Sequence, residues 1–172
     1  MITRPELTVR PLGPDDAEAS RRLGFEAFGM PTAPPTETAT LDAPGRNFWG
    51  AFDGDRLVAK LADREYQSWF GGAEVATSGI AGVTVAMEHR GRGALTPLFA
   101  AALDAASERG AAISTLFPSA PRIYRRFSYE LVGDYATIQI PTELLTGVSS
   151  PTTEIGLRRA TAADFGAIDA IY

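Results

Sequence analysis

The stretch Val83-Thr84-Val85-Ala86-Met87-Glu88-His89-Arg90-Gly91-Arg92-Gly93-Ala94-Leu95-Thr96 runs an apolar strand pattern into a basic, Gly-rich turn and on into a helical pattern. Such a junction suits phosphate. The first amides of a helix have no partner within it, and the aligned peptide dipoles leave that end partly positive, so an anionic pyrophosphate is drawn there. Arg90 and Arg92 add full charges, while Gly91 and Gly93 let ligand oxygens reach the main chain with no Cβ between. Two phosphate loops are excluded by spacing. No Lys follows Gly93, against G-x-x-x-x-G-K-[ST], and Thr96 stands where the third Gly of G-x-G-x-x-G belongs. The other reading of the segment is a charged turn between a strand and an amphipathic helix.

The elements that must carry this turn alternate along the chain. Leu7-Thr8-Val9-Arg10 reads as a short strand, and Pro14-Asp15-Asp16 opens a helix to about Phe28 with carboxylates at its positive end. Gly29 to Gly45, rich in Pro and Thr, reads as a loop or broken helix. Asn47 to Phe52 and Leu57 to Tyr66 form a hairpin around Asp53-Gly54-Asp55-Arg56, and Gly71-Gly72 turns the chain into a long strand, Ala73 to Met87. Gly79 and Gly82 within that strand mark a bulge or a close approach by another backbone or a ligand.

Ala94 to Arg109 places Leu95, Leu98, Phe99, Ala102, Leu103 and Ala106 on one helical face, and Gly110 ends it. Ala111 to Phe117 is expected as a buried strand stopped by Pro118, Ile123 to Phe127 as a short helix, and Leu131 to Ile140 as a final strand. An antiparallel meander followed by a strand-helix-strand crossover implies an α+β fold, a mixed sheet with helices on its faces.

Composition narrows the function classes. The chain has 172 residues, 45% of them hydrophobic, enough for one substantial core and some remainder. With no Cys and a single His, thiolate catalysis, disulfides, Cys-based zinc sites and a His-cluster metal site are set aside, and no metal is expected. A formal net charge of −5 leaves nucleic acid no electrostatic footprint beyond short Arg clusters, and suits a cationic partner. No run approaches the ~20 apolar residues of a membrane span, and Arg4, Glu6 and Arg10 follow Met1 where a signal segment would be apolar. A soluble, cytoplasmic protein is expected, with no membrane partner.

Arg90-x-x-Gly93 after a strand resembles the acyl-CoA pyrophosphate motif of the GNAT superfamily of N-acetyltransferases, [QR]-x-x-G-x-[GA], with Leu95 departing at the last position. A second segment, Ser119-Ala120-Pro121-Arg122-Ile123-Tyr124-Arg125-Arg126-Phe127-Ser128-Tyr129, resembles the S-E-G-G-I-Y-G-R-F-G-Y of the Eis (enhanced intracellular survival) branch. The pattern V-x-V-A-x-x-H-R-x-R-G-x-L matches that branch too, including Leu95. Ala120, Pro121 and Arg122 stand where the branch has Glu and two glycines. The resemblance implies the GNAT fold, whose fourth and fifth strands splay to admit the pantetheine arm of acetyl-CoA beside Val83, Thr84 and Val85. It implies that Arg90, Gly91, Arg92, Gly93, Ala94, Leu95, Thr96, Ser119 and Ala120 also hold the donor. Phe127 and Tyr129 are assigned to packing, and Arg122, Arg125 and Arg126 to a solvated basic face.

The resemblance implies that Tyr124 is the general acid. When an amine attacks the thioester, a CoA thiolate must leave, and a phenol of pKa ~10 facing a thiol of pKa ~8.5 transfers its proton uphill by roughly 2 kcal/mol. Tyr124 would therefore act chiefly by hydrogen-bonding the developing thiolate. Its alternative is an amphipathic core residue with the hydroxyl at the surface. A lysine-like acceptor of pKa ~10.4 costs roughly 4.6 kcal/mol to deprotonate at pH 7, yet no residue stands out as the base. In the resembling branch the base is the terminal carboxylate of a chain more than twice as long.

The end of the sequence echoes its start. Glu154-Ile155-Gly156-Leu157-Arg158-Arg159-Ala160-Thr161-Ala162-Ala163-Asp164-Phe165 repeats the form of Glu6 to Ala17. The organisation expected is a GNAT domain over 1–145, a linker over 146–153 and the start of a truncated second GNAT-like domain over 154–172. The alternative is a strand and helix that complete the first domain. Function is read as acetyl-CoA-dependent N-acetyl transfer to a small-molecule or lysine amine (aminoglycoside, polyamine or protein lysine), with Phe25, Phe28 and the 29–40 loop bordering the acceptor cleft. A homo-oligomer is expected of the full-length form. The competing readings are a CoA-binding module without turnover and a purely structural or interaction domain.

Overall fold

The computed structural model describes residues 6–29, 41–134, 136–149 and 156–170. It divides after Leu131 into two compact units.

The first unit is built on a five-stranded sheet in the order β1-β2-β3-β4-β5: β1 Thr8–Pro11, β2 Arg46–Asp53, β3 Arg56–Phe70, β4 Ala73–Val85 and β5 Ile113–Leu116. The first four strands pair antiparallel, and β5 joins β4 in parallel. This mixed sheet with helices is the architecture expected from the sequence. Helix α1, Ala17–Phe28, follows a 3-10 turn at Pro14–Asp16 and ends on Gly29 in the left-handed conformation. Helix α2, Leu95–Glu108, supplies the crossover between the two parallel strands that topology requires.

Each face of the sheet buries its own core. On one, Leu98, Phe99 and Ala102 of α2 pack on Ala51, Ala59, Leu61 and Ile80 together with Tyr124. On the other, Leu23 of α1 packs with Leu12, Phe52, Leu57, Val58 and Ala86. Ala51 and Phe52 point to opposite faces, as successive strand residues do, whereas Leu57 and Val58 share one face because the β2–β3 register shifts between Ala51 and Phe52. Asp63 is fully buried, accepting from Ser78 Oγ at 2.6 Å and paired with Arg109 at the end of α2. A buried carboxylate needs such partners.

Both interior glycines of β4 have a structural reason. Lys60 faces Thr84 and Ala62 faces Ala81, so Leu61 stands opposite two residues, Gly82 and Val83, and Gly82 takes the positive φ of 57° that the bulge demands. At Gly79 the Tyr66 ring crosses β4 to reach Thr115 on β5, over a position where a Cβ would collide with it. Strand β3 runs to Phe70, four residues beyond expectation, because Gly71 and Gly72, both at positive φ, close a tight hairpin there.

Three expectations are corrected. Ala111 to Phe117 contracts to the four half-buried residues of β5, and Phe117 is 83% exposed. Met87, expected in β4, begins a 3-10 turn, Met87–His89. Leu131 to Ile140 forms no strand among its described residues, with Tyr135 outside them, and Leu131, Val132, Ile138 and Ile140 are exposed. Apolar alternation makes a segment fit to be a strand, but backbone polar groups leave water for a strand only when another strand receives them.

The second unit contains a 3-10 helix at Thr142–Gly147 and a 3-10 turn at Ala162–Asp164 that runs into a short helix, Phe165–Asp169. Arg158 clasps Asp164 through two nitrogens at 2.8 and 2.6 Å, and the Thr161 amide donates to the same carboxylate at 2.7 Å. In the first unit Arg10 clasps Asp16 at 2.6 and 2.8 Å and the Gly13 amide donates to it at 2.8 Å. The sequence echo is thus an echo of hydrogen bonds. No described helix is long and apolar enough to cross a membrane.

Candidate active site

The site begins where β4 outruns β5. Their pairing runs from Thr77 opposite Ile113 to Ile80 opposite Leu116 and stops, while β4 continues through Ala81, Gly82, Val83 and Thr84 to Val85. Pro118, which has no amide hydrogen, follows just beyond β5. Beyond Ile80 the β5-side edge of β4 has no strand partner among the described residues. Val83 and Val85 are half-buried along it, and Thr84 is buried with its hydroxyl donating to the Gly82 carbonyl at 3.2 Å.

From Val85 the chain passes through the Met87–His89 turn into Arg90, Gly91, Arg92 and Gly93, and α2 starts from the buried Ala94. Gly91 and Gly93 have φ of 74° and 86°, a conformation that disfavours any residue with a Cβ. Among the described residues the amides of Gly91, Gly93, Ala94 and Leu95 make no backbone hydrogen bond, whereas Thr96 donates to Gly93 at 3.1 Å and Arg92 to His89 at 3.4 Å. Arg90 and Arg92 are exposed and in no salt bridge among the described residues; Arg90 Nε donates to the Val85 carbonyl at 3.3 Å. Free amides, two uncompensated guanidiniums and two left-handed glycines at one helix start suit a pyrophosphate.

Tyr124 ends α3, Pro121–Tyr124, and a 3-10 turn, Arg125–Phe127, follows. It is 8% exposed, its ring 6.0 Å from Phe99 and 6.4 Å from Tyr129. Burial pushes its phenol above the ordinary value, so the group holds its proton and serves as a hydrogen donor. Phe127 stacks on Phe99 at 4.3 Å and packs as expected. Tyr129 packs too, but its hydroxyl also lies 2.5 Å from Ser114 Oγ on β5, which the sequence did not suggest. Ser119 is exposed and Ala120 half-buried just before α3. Tyr124, Leu98 of α2 and Ile80 of β4 share one core cluster, with Val83, Val85 and Leu95 packed against it, so the phenol, the end of β4 and the start of α2 belong to one neighbourhood.

Several contributors escaped sequence reading. His89 Nε2 lies 3.1 Å from an Asp53 carboxylate oxygen, and Arg56 pairs with Glu88, so the β2–β3 turn holds the stalk of the loop. Lys60 of β3 reaches Ser20 of α1, with Nζ 2.5 Å from the carbonyl and 2.9 Å from Oγ, and burial pushes its ammonium below the ordinary range. The expected acceptor border is described only in part. Phe25 is half-buried under Arg21 and Phe28 is exposed, while residues 30–40 lie outside the described residues. A cavity of 260 Å³ near the start of β4, between Glu65 and Arg109, touches none of the expected site residues.

A sheet of this order, with its fourth strand extended past the fifth and running into a basic helix start, defines an acyl-CoA-binding transferase fold. Residues 8–132 match the acetyltransferase (GNAT) domain family, and the chain belongs to that family. A curated relative in Streptomyces avermitilis, described as an uncharacterized N-acetyltransferase, is 34% identical over 134 residues, covering 74% of this chain and 32% of the relative. The GCN5-related N-acetyltransferase structure from Kribbella flavida is 34% identical with a TM-score of 0.63, over 74% of this chain and 33% of that one. AAC(6')-Iy, solved with a bisubstrate analogue of CoA and acetylneamine, shares the fold at a TM-score of 0.66 and 14% identity, over 79% of this chain and 99% of that one. The chain spans about a third of the length of the curated relatives it matches. Acetyl-CoA is the donor of the GNAT fold, and the free amides and arginines of the 90–95 loop fit its phosphates.

Proposed function

We propose that this chain carries the donor site and the acid of an Eis-like, acetyl-CoA-dependent N-acetyltransferase acting on a primary amine. The observation that carries the reading is the loop from Arg90 to Leu95, where, among the described residues, amides without backbone partners, two left-handed glycines and two guanidiniums in no salt bridge meet at the end of a strand that has outrun its neighbour. Arg90 and Arg92 would neutralise the phosphates, and the strand edge at Val83 to Val85 would align the pantetheine arm. Tyr124, protonated and desolvated, would donate its hydroxyl hydrogen to the departing sulfur. Positioning supplies the rest, because an amine held against a thioester reacts without the entropy cost of a free encounter.

The acceptor classes are an aminoglycoside, a polyamine or a protein lysine; the net charge of −5 favours such cations. Domain limits of 1–145 and 154–172 around a linker over 146–153 are supported by the likeness of the Arg10–Asp16 and Arg158–Asp164 clasps. Calorimetry with acetyl-CoA tests the donor site. The wild-type chain is expected to bind in a salt-dependent manner and the Arg90→Ala/Arg92→Ala variant to lose that binding; a folded wild type that ignores acetyl-CoA overturns the reading. Binding without release of thiol in the presence of any amine would leave a donor-binding module in place of an enzyme.

A further inference from the structure

Two polar links join the β2–β3 turn to the foot of the phosphate loop. Asp53 ends β2 and His89 ends the turn after β4, 36 residues later, yet a carboxylate oxygen of one lies 3.1 Å from Nε2 of the other. A carboxylate accepts and does not donate, so the hydrogen sits on Nε2. His89 is 6% exposed and its Nδ1 is buried without a hydrogen-bond partner among the described residues, where Asp53 is the anchor of the imidazole. Beside it Arg56, the first residue of β3, pairs with Glu88. The main chain continues the connection. Ala86 donates to Val58 at 2.8 Å, His89 to Ala86 at 2.9 Å, and Arg92 to the His89 carbonyl at 3.4 Å.

An apolar side chain would fill the place of His89 without burying an unmet nitrogen, which is costly. What the imidazole adds is a fixed direction for the residue whose carbonyl holds the Arg92 amide. The next segment needs fixing. Gly91 and Gly93 are the residues that lose most freedom when ordered, and a ligand that must order them binds more weakly than one that finds them in place. We propose that His89 and Asp53 form a clamp that positions the Arg90–Gly93 turn for the acyl donor, making both of them positioning residues for donor binding. The clamp acts from outside the site: Asp53 belongs to a hairpin turn on the far side of β3, and the Asp53 side chain is 45% exposed. The inference rests on the donor-site reading above.

The test is acetyl-CoA binding by calorimetry to the 172-residue chain and to Asp53→Ala, Asp53→Asn, His89→Leu and the Asp53→Ala/His89→Leu double variant. Amide exchange at Arg92 is followed without ligand. Asp53→Ala and His89→Leu are each expected to weaken binding roughly tenfold, the worth of a hydrogen bond to a charged group. The double variant is expected to be no weaker than His89→Leu, because one contact is lost once. Asp53→Asn, whose amide oxygen still accepts from Nε2, is expected to recover most of the affinity, and Arg92 exchange is expected to speed up in Asp53→Ala alone of these two. A merely structural role would lower the melting temperature while leaving affinity and Arg92 exchange alone. Wild-type binding with an unchanged Asp53→Ala affinity, or additive losses in the double variant, overturns the clamp and leaves the donor site standing. A folded wild type that fails to bind overturns both. Should His89→Leu not fold, Asp53→Ala and Asp53→Asn, in an exposed turn, decide the matter.

Discussion

The ring of Tyr66 lies across Gly79, so that a residue of β3 passes over β4 and its hydroxyl meets Thr115 on β5. The parallel strand has only four residues in register with β4, and this contact reinforces a short pairing that stops at Ile80 while β4 runs on. Gly79→Ala is expected to swing the ring aside and cost about 1–2 kcal/mol, from a lost hydrogen bond and lost packing. Tyr66→Phe alone is expected to cost about 1 kcal/mol, and much less when Gly79 is already Ala, because the bond is then absent. Urea unfolding of the four proteins checks this; fully additive losses would show that the two residues act apart.

Ser128 takes φ of 65°, alone among the described non-glycine residues, at the end of the 3-10 turn that follows Tyr124. The resembling Eis segment has Gly there. A side chain in the left-handed region costs roughly 1–2 kcal/mol, of which the extra freedom of an unfolded glycine returns part. Ser128→Gly is therefore expected to raise stability by about 0.5–1 kcal/mol, read as a shift in denaturant midpoint at constant slope. A drop in stability would place a compensating bond on the Ser128 hydroxyl.

Asp16 contributes to the acid stability of the first unit. The Arg10 guanidinium first, and then the Gly13 amide, hold its carboxyl below the ordinary value of 3.8. A folded pKa below the unfolded one adds stability that is complete above 3.8 and disappears as pH falls through the lowered value. Asp16→Asn is expected to lose about 1 kcal/mol at neutral pH and correspondingly less near pH 2, with the difference read from denaturant melts at both. A constant difference across that range would mean that shape, and not charge, is what Asp16 supplies.

What could be read from the sequence was contiguous in it. The apolar strand, two glycines and two arginines of 83–95 are neighbours along the chain, so their chemistry needed no tertiary information, and the family match over residues 8–132 agrees with the class they indicated. The contacts that brace the site pair residues far apart: Asp53 with His89, Tyr66 with Thr115, Ser20 with Lys60 and Asp63 with Arg109. Those partners are chosen by strand register and helix placement, which single-residue patterns do not encode. The misread strand at Leu131 to Ile140 has the converse cause. Its alternation is genuine, but a strand is a property of a pair, and no described segment receives it.

Tyr124 carries the chemical step of the proposed reaction, and its surroundings make the effect of removing one oxygen predictable. The ring is held by Phe99 and Tyr129, contacts that Phe at this position would keep. Tyr124→Phe is therefore expected to bind acetyl-CoA as the wild type does and to transfer acetyl roughly 100-fold more slowly, measured as thiol released with the most active amine. Burial raises the phenol above 10, so its proton stays in place while an amine acceptor of pKa ~10.4 begins to lose its own. Wild-type rates should then climb with pH as the amine deprotonates, and the fall that reports loss of the phenol proton should lie above pH 10. The same sign governs stability: the contribution of the buried phenol is whole below 10 and disappears as pH rises through the elevated folded value. A Tyr124→Phe chain that keeps the wild-type rate would remove Tyr124 from the reaction and leave the thiolate to depart with a proton from water.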